Sequence, residues 1–159
     1  MTSKLITTWS AYDNAVQELL DLSPGRLSIF DQDLSPLRLE VAGRLVALRT
    51  LLSAADYRKQ LTIVVQQAGF VRQYSPQLMN LLAIHSPTLK IIHSPPHLLN
   101  LQDSLLIADD RHALIRFQHD QARARLIIDD PLECAPYVQR FAEILDAGGD
   151  PLGPTTLGL

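Results

Sequence analysis

The sequence predicts an α/β domain built on a mixed β-sheet with helices on both faces. Three observations carry this. Short apolar runs at 26–30, 60–65 and 89–92 alternate with stretches of helical periodicity. That is the pattern of β-α-β units, whose strands pair in parallel through right-handed crossovers. Residues 102–130 then hold three apolar runs, 105–108, 113–117 and 126–128, separated by Asp109-Asp110-Arg111 and by the polar stretch 118–121. Short β-rich runs broken by turn-forming residues read as an antiparallel meander. Finally, a chain of 159 residues is long enough to bury one proper core.

In chain order, residues 10–22 place Tyr12, Val16, Leu19 and Leu20 on one helical face, with Ser10 as the expected cap. Ser23-Pro24-Gly25 ends that helix. Residues 26–30 form a strand with a polar edge at Asp31-Gln32-Asp33. The clearest helical stripe lies in 34–53: Val41, Leu45, Leu48 and Leu52 share a face, with Arg38, Glu40, Arg44 and Arg49 off it. Ser35 and Pro36 stand where a cap and a first-turn proline would start that helix. Residues 60–65 are nearly all apolar, as in a strand buried on both faces. A helix around Leu78, Leu81 and Leu82 follows Ser75-Pro76, then a strand at 89–92, then His93-Ser94-Pro95-Pro96-His97, a loop stiffened by its prolines. After the meander, Asp129-Asp130-Pro131 opens a last helix with Tyr137, Phe141, Ile144 and Leu145 on one face, stopped by Gly148-Gly149. The organisation expected is an N-terminal helical segment at 1–25, the α/β domain at 26–147 and a disordered tail at 148–159.

Composition narrows the function classes. The chain is 47% hydrophobic and 19% charged, ordinary for a globular domain. Its net charge of −3 gives no overall attraction for a nucleic acid or an acidic membrane. The single cysteine, Cys134, excludes an internal disulfide and fits a reducing compartment, so the cytoplasm is the expected location. Residues 1–9 read as neither signal peptide nor anchor, and no apolar run reaches the about 20 residues that span a bilayer.

Within the meander, Gln102, Ser104, the apolar strand 105–108 and Asp109 are spaced like a known signature. The segment resembles the phospholipase D superfamily motif of His, any residue, Lys, four residues and Asp. The layout of 26–145 resembles one phospholipase D-like half. Asp109 keeps the family aspartate, Gln102 stands at the histidine position and Ser104 at the lysine position. Bulky Arg116 and Phe117 stand where the family has small residues. In that family an imidazole attacks phosphorus and the lysine neutralises phosphate charge. Glutamine cannot be that nucleophile, and serine cannot supply that cation. The resemblance therefore implies a non-catalytic domain that acts by binding or assembly without a cofactor. Because family enzymes combine two motifs, it also implies a homodimer. The chain is similar as well to degenerate halves appended to bacterial GNAT-type acetyltransferases, which implies such an acetyltransferase as a protein partner.

Other constellations compete with that reading. The strand ending in Asp31-Gln32-Asp33 resembles the first motif of haloacid-dehalogenase-type phosphatases, which implies a Mg²⁺-dependent phosphoryl hydrolase with Asp31 as nucleophile and Asp33 as acid/base. Against it, Gln66-Gln67 stands where that family needs Ser or Thr, and Asp109-Asp110 leads into a strand. Acidic residues before a helix also suit the helix dipole. Arg116, Arg123 and Arg125 could share one face of the hairpin as an anion or nucleotide site, or could be an ordinary solvated sheet face. Five histidines (His85, His93, His97, His112 and His119) lack the spacing of a zinc set, so no metal site is expected, even with Asp109 or Asp110 added. Cys134 opens the last helix beside Glu133 and is read as an inert thiol. Trp9 and Tyr12 are read as N-terminal helix packing or a dimer contact.

Overall fold

The computed structural model describes residues 2–54, 56 and 58–153. Eight strands form one sheet: β1 (Thr2–Ile6), β2 (Arg26–Asp31), β3 (Gln60–Val65), β4 (Leu89–His93), β5 (Ser104–Ala108), β6 (His112–Arg116), β7 (Ala124–Ile128) and β8 (Asp150–Pro151). Their spatial order is β1-β7-β6-β5-β2-β3-β4-β8. Strands β2, β3 and β4 are parallel and the other pairings are antiparallel. The mixed sheet and the meander are as the sequence predicts. The β5–β6 turn has both Asp109 and Asp110 at positive φ, 54° and 56°, with Arg111 N donating to Ala108 O. That is a type I′ turn, whose twist suits a hairpin.

Helices α1 (Trp9–Leu20), α2 (Ala42–Ser53), α3 (Gly69–Tyr74) and α4 (Pro76–His85) lie on one face. Their apolar stripes join Leu27, Ile29, Leu61, Ile63, Leu106 and Leu114 in the larger core. The other face carries α5 (Pro131–Asp146) alone, with Phe141 and Ile144 packed on Phe30, Leu105, Ile107 and Ile115. Alternation along each strand divides the two cores, as a period of two requires.

Several local expectations change. Helix α1 is capped by Thr8, whose Oγ1 accepts from Ala11 N at 3.1 Å, because Ser10 is already inside the helix. Residues 2–6 form an edge strand on β7, so the N-terminal segment is not purely helical. Ser35 and Pro36 start a 3₁₀ turn, Ser35–Leu37, and α2 begins only at Ala42. Val41 is consequently exposed, and Arg44, expected off the stripe, is buried. Its guanidinium donates to Leu37 O at 2.7 Å and to Asp13 O at 2.8 Å, and lies 2.9 Å from the Asp13 carboxylate. Hydrogen bonding to Arg44 holds the Asp13 carboxyl below its usual range. Strand β3 is fully buried on the α1 face, but on the α5 face only Val64 is buried, since Gln60 and Thr62 reach an open part of it. In the expected tail, Asp150–Pro151 pairs with β4 and Leu152 is buried. Residues 154–159 lie outside the described set.

Candidate functional site

Of the three motif positions, Gln102 and Ser104 fall at the end of the sheet where β2 stops and β5 starts, and Asp109 falls at the opposite end of β5. Side-chain hydrogen bonds hold the approach to β5 on both sides. Gln66 Nε2 donates to Leu98 O at 2.8 Å and to Leu101 O at 2.9 Å. Arg140 of α5 grips Asp103 through two hydrogen bonds, 2.6 and 2.8 Å. Gln102, between them, projects to solvent.

Ser104 is opposite Arg116 in the β5–β6 register, and Phe30 is opposite Leu105. The next pair therefore sets Asp31 beside Ser104. Three adjacent strands thus place Asp31, Ser104 and Arg116 abreast on the α1 face. Asp31 Oδ1 accepts from Ser104 Oγ at 2.6 Å and from Arg116 Nη2 at 2.7 Å. Its Oδ2 accepts from Leu34 N at 2.8 Å and Asp33 N at 3.2 Å. Arg116 Nη1 also donates to Gln118 O and to His119 O. Both charged side chains are 0% exposed. Their roof is aromatic: the guanidinium carbon lies 5.4 Å from the Trp9 ring centroid and 5.1 Å from that of Tyr12, within cation–π range. The two rings meet edge to face at 5.7 Å. Burial pushes the Tyr12 phenol up, and the Arg116 charge opposes that rise.

This arrangement can hold charge but cannot attack a substrate. A nucleophilic carboxylate needs an open oxygen and a path for phosphorus. Both oxygens of Asp31 are filled, and no solvent reaches them. Asp33 is likewise engaged as a cap, its Oδ1 accepting from Ser35 N at 2.9 Å and Ser35 Oγ at 2.7 Å. The alternative of an Asp31/Asp33 hydrolase is not supported by this geometry. Leu34, beside them, takes φ 74°, a left-handed value that costs a bulky residue about 1–3 kcal/mol. The two N–H bonds to Asp31 hold it there.

Asp109, at the aspartate position of the resembled motif, is a structural acceptor. Its Oδ1 receives Gly25 N at 2.9 Å and Arg26 N at 3.0 Å, tying the start of β2 to the β5–β6 turn. The three-arginine site does not form. Arg116 is opposite Ala124, whereas Arg125 is opposite Ile115, so those side chains take opposite faces. Arg125 instead reaches Glu133 at 3.1 Å and Ser3 at 3.2 Å. Arg123 is exposed beyond the strand end. Sequence reasoning missed Arg116 as a core residue. The available signal was its place in an otherwise apolar strand, Ala113-Leu114-Ile115.

The histidines are dispersed. Among the described residues, no three His, Cys, Asp or Glu side chains gather around a metal-sized space. His93 Nε2 lies 3.0 Å from Gln66 O, and His112 Nδ1 accepts Asp129 N at 2.9 Å. That second bond requires an unprotonated Nδ1. Burial lowers the His112 pKa from 6.5, Arg111 adds to the fall, and Asp109 and Asp129 oppose it. With the folded value depressed, the unfolded chain takes up the proton first as pH falls. The stability is therefore present above 6.5 and lost as pH drops through the folded value. His112→Asn keeps an acceptor and cannot titrate. Its urea-unfolding free energy should lose this acid-side slope, and an unchanged slope would assign the slope to another group. Cys134 is buried, with its thiol pushed up to about 11 mainly by desolvation and then by Asp130 and Glu133.

No family model matches the sequence, and no curated protein sequence does either. Solved structures do match. TrmBL2, an archaeal chromatin protein whose structure shows a novel mode of DNA binding, aligns at TM-score 0.68 and 11% identity. The alignment covers 94% of this chain and 54% of TrmBL2, so the chain spans about half of that protein. Nuc from Salmonella typhimurium, a phospholipase D family member, aligns at TM-score 0.61 and 12% identity over 96% of this chain and 98% of Nuc. NucT from Helicobacter pylori aligns at 0.58 and 12% over 94% and 98%. The fold is phospholipase D-like. No helix among the described residues is long and apolar enough to cross a membrane.

Proposed function

We propose that this phospholipase D-like half is a non-catalytic domain that acts by binding or assembly. One observation carries the reading: the row at the Lys position of the motif is a closed ion pair, with Asp31, Ser104 and Arg116 all buried and with Ser104 and Arg116 both donating to Asp31. Gln102, at the nucleophile position, is exposed but has no imidazole to form a phosphoryl intermediate. A purified sample is expected to hydrolyse bis-p-nitrophenyl phosphate no faster than buffer, with or without Mg²⁺. Turnover that disappears in Gln102→Ala would overturn the proposal, since that exposed side chain can be removed without unfolding the domain.

Assembly is proposed as a homodimer. Trp9 and Phe117 are 45% and 37% exposed at the end of the sheet that holds the closed row, and exposed aromatics are favoured anchors of interfaces. A sedimentation run in which Phe117→Glu remains the same size as the unaltered protein would count against that surface. A GNAT-type acetyltransferase is the first protein partner to test. DNA binding, as in TrmBL2, is not included, because a net charge of −3 gives the whole molecule no attraction for a polyanion.

A further inference from the structure

The α5 side of the sheet is only partly covered. Helix α5 packs mainly over β5 and β6; Phe30, Val64 and Ile92 are covered on this face, but the Arg26–Ser28, Gln60–Thr62 and Lys90 parts of β2, β3 and β4 lie open beside it. Central strands of an α/β sheet are normally apolar on both faces. Here Ser28, Thr62 and Lys90 stand abreast on three neighbouring strands, half-buried, half-buried and exposed in turn. Arg26 lies one row away and faces Asp110 at 3.6 Å. These side chains form the floor of a cleft of ≈ 320 Å³ whose wall is the apolar edge of α5, Phe141 and Leu145. Volumes of about 300–1,000 Å³ are usual for small-molecule sites.

We propose that this cleft binds a small soluble anion carrying an apolar group, an aryl or alkyl phosphate or carboxylate. Charge selects the anion: the lining holds Lys90 and Arg26 against Asp110 alone, in a chain whose overall charge is −3. Among the described residues, Lys90 Nζ, Ser28 Oγ and Thr62 Oγ1 make no hydrogen bond or ion pair, so all three are available to one oxyanion. The Phe141 and Leu145 wall would take the hydrocarbon part, where apolar contact adds affinity without direction. This site is separate from the closed Asp31–Arg116 row, which lies on the opposite face and at the strand ends. It involves no bond breaking.

The test titrates phenyl phosphate and inorganic phosphate into the full chain, read by amide chemical-shift mapping. Phenyl phosphate should saturate and shift the amides of Ser28, Thr62 and Lys90. Inorganic phosphate should bind at least about tenfold more weakly, since it cannot use the α5 wall. Lys90→Met should weaken phenyl phosphate at least about tenfold, and Ala142→Trp, which fills the cleft from an exposed helix position, should abolish binding. Both variants should keep the native spectrum elsewhere. The proposal is overturned by the absence of saturation at about 10 mM, or by binding unchanged in both variants. It is also overturned if Ala142→Trp turns a dimer into a monomer, which would make the cleft a contact between copies. Phosphodiesterase activity would refute the non-catalytic reading and leave these outcomes intact.

Discussion

Replacing Arg116 with methionine is expected to lower the unfolding free energy by about 3–5 kcal/mol, the usual cost of leaving one member of a buried ion pair alone. Methionine keeps most of the arginine stem, so packing changes little. What is lost is the 2.7 Å bond to Asp31 and the bonds to the Gln118 and His119 carbonyls. The attraction to the Trp9 and Tyr12 rings goes too. Asp31 then sits buried with Ser104 Oγ and two backbone N–H groups but no positive charge. Asp31→Asn should cost a similar amount for the converse reason. The double variant Asp31→Leu with Arg116→Met should be less damaging than the two single losses added, because an apolar pair removes both desolvation costs. Trp9 is the only tryptophan and touches the cluster, so urea unfolding followed by its fluorescence reads the cycle directly. A loss below about 1 kcal/mol for Arg116→Met would show that water or another group replaces the guanidinium.

Introducing the lysine of the resembled motif should harm the protein. Ser104→Lys puts a second cation against Arg116 where one carboxylate serves both, in a site that is 2% exposed at Ser104 and 0% exposed at Asp31 and Arg116. An uncompensated buried charge costs about 3–5 kcal/mol, and the longer side chain adds about 1–3 kcal/mol of overpacking. That sum is comparable to the whole stability of an ordinary domain, about 5–15 kcal/mol, so the variant should be largely unfolded near room temperature. Ser104→Ala, which loses one hydroxyl donor to Asp31, should cost only about 1–3 kcal/mol and remain folded. Gln102→His at the exposed position should be nearly silent in stability. The pair Gln102→His with Ser104→Lys should therefore give no phosphodiesterase. A double variant that folds at native stability and turns over bis-p-nitrophenyl phosphate would show that the closed row opens readily.

The strands and most helices were readable because their signal is local. β3 spans the predicted residues, and the meander strands differ by a residue or two at their ends. The misses share another cause. β1 and β8 are edge strands, at opposite ends of the sheet. Four of the five β1 residues are exposed, so there is little apolar alternation to detect. The start of α2 was placed too early because Ser35-Pro36 suits a 3₁₀ turn as well as an α-helix. The candidate site was legible only in part: Gln102 and Ser104 depart from the motif on sight, while Asp109, which matches the motif, is an acceptor for backbone N–H groups.

Arg44 and Arg116 show where local reading ends. Arg44 stands off the apolar stripe of its helix and Arg116 reads with Arg123 and Arg125 as part of a hairpin face, and each is buried. The Arg116 partner is 85 residues away in sequence, and the two meet because the order β6-β5-β2 brings their strand ends side by side. No periodicity within either strand encodes that order. The sequence by itself determined most element types, the mixed sheet and the Gln102 and Ser104 identities at the motif positions, since these follow from local patterns and from residue identity. Only the tertiary structure decided which charges neutralise one another, that Asp31 is closed to substrate, and that Ser28, Thr62 and Lys90 share an open face. Those outcomes depend on strand pairing and helix placement, which are set by burial across the whole chain.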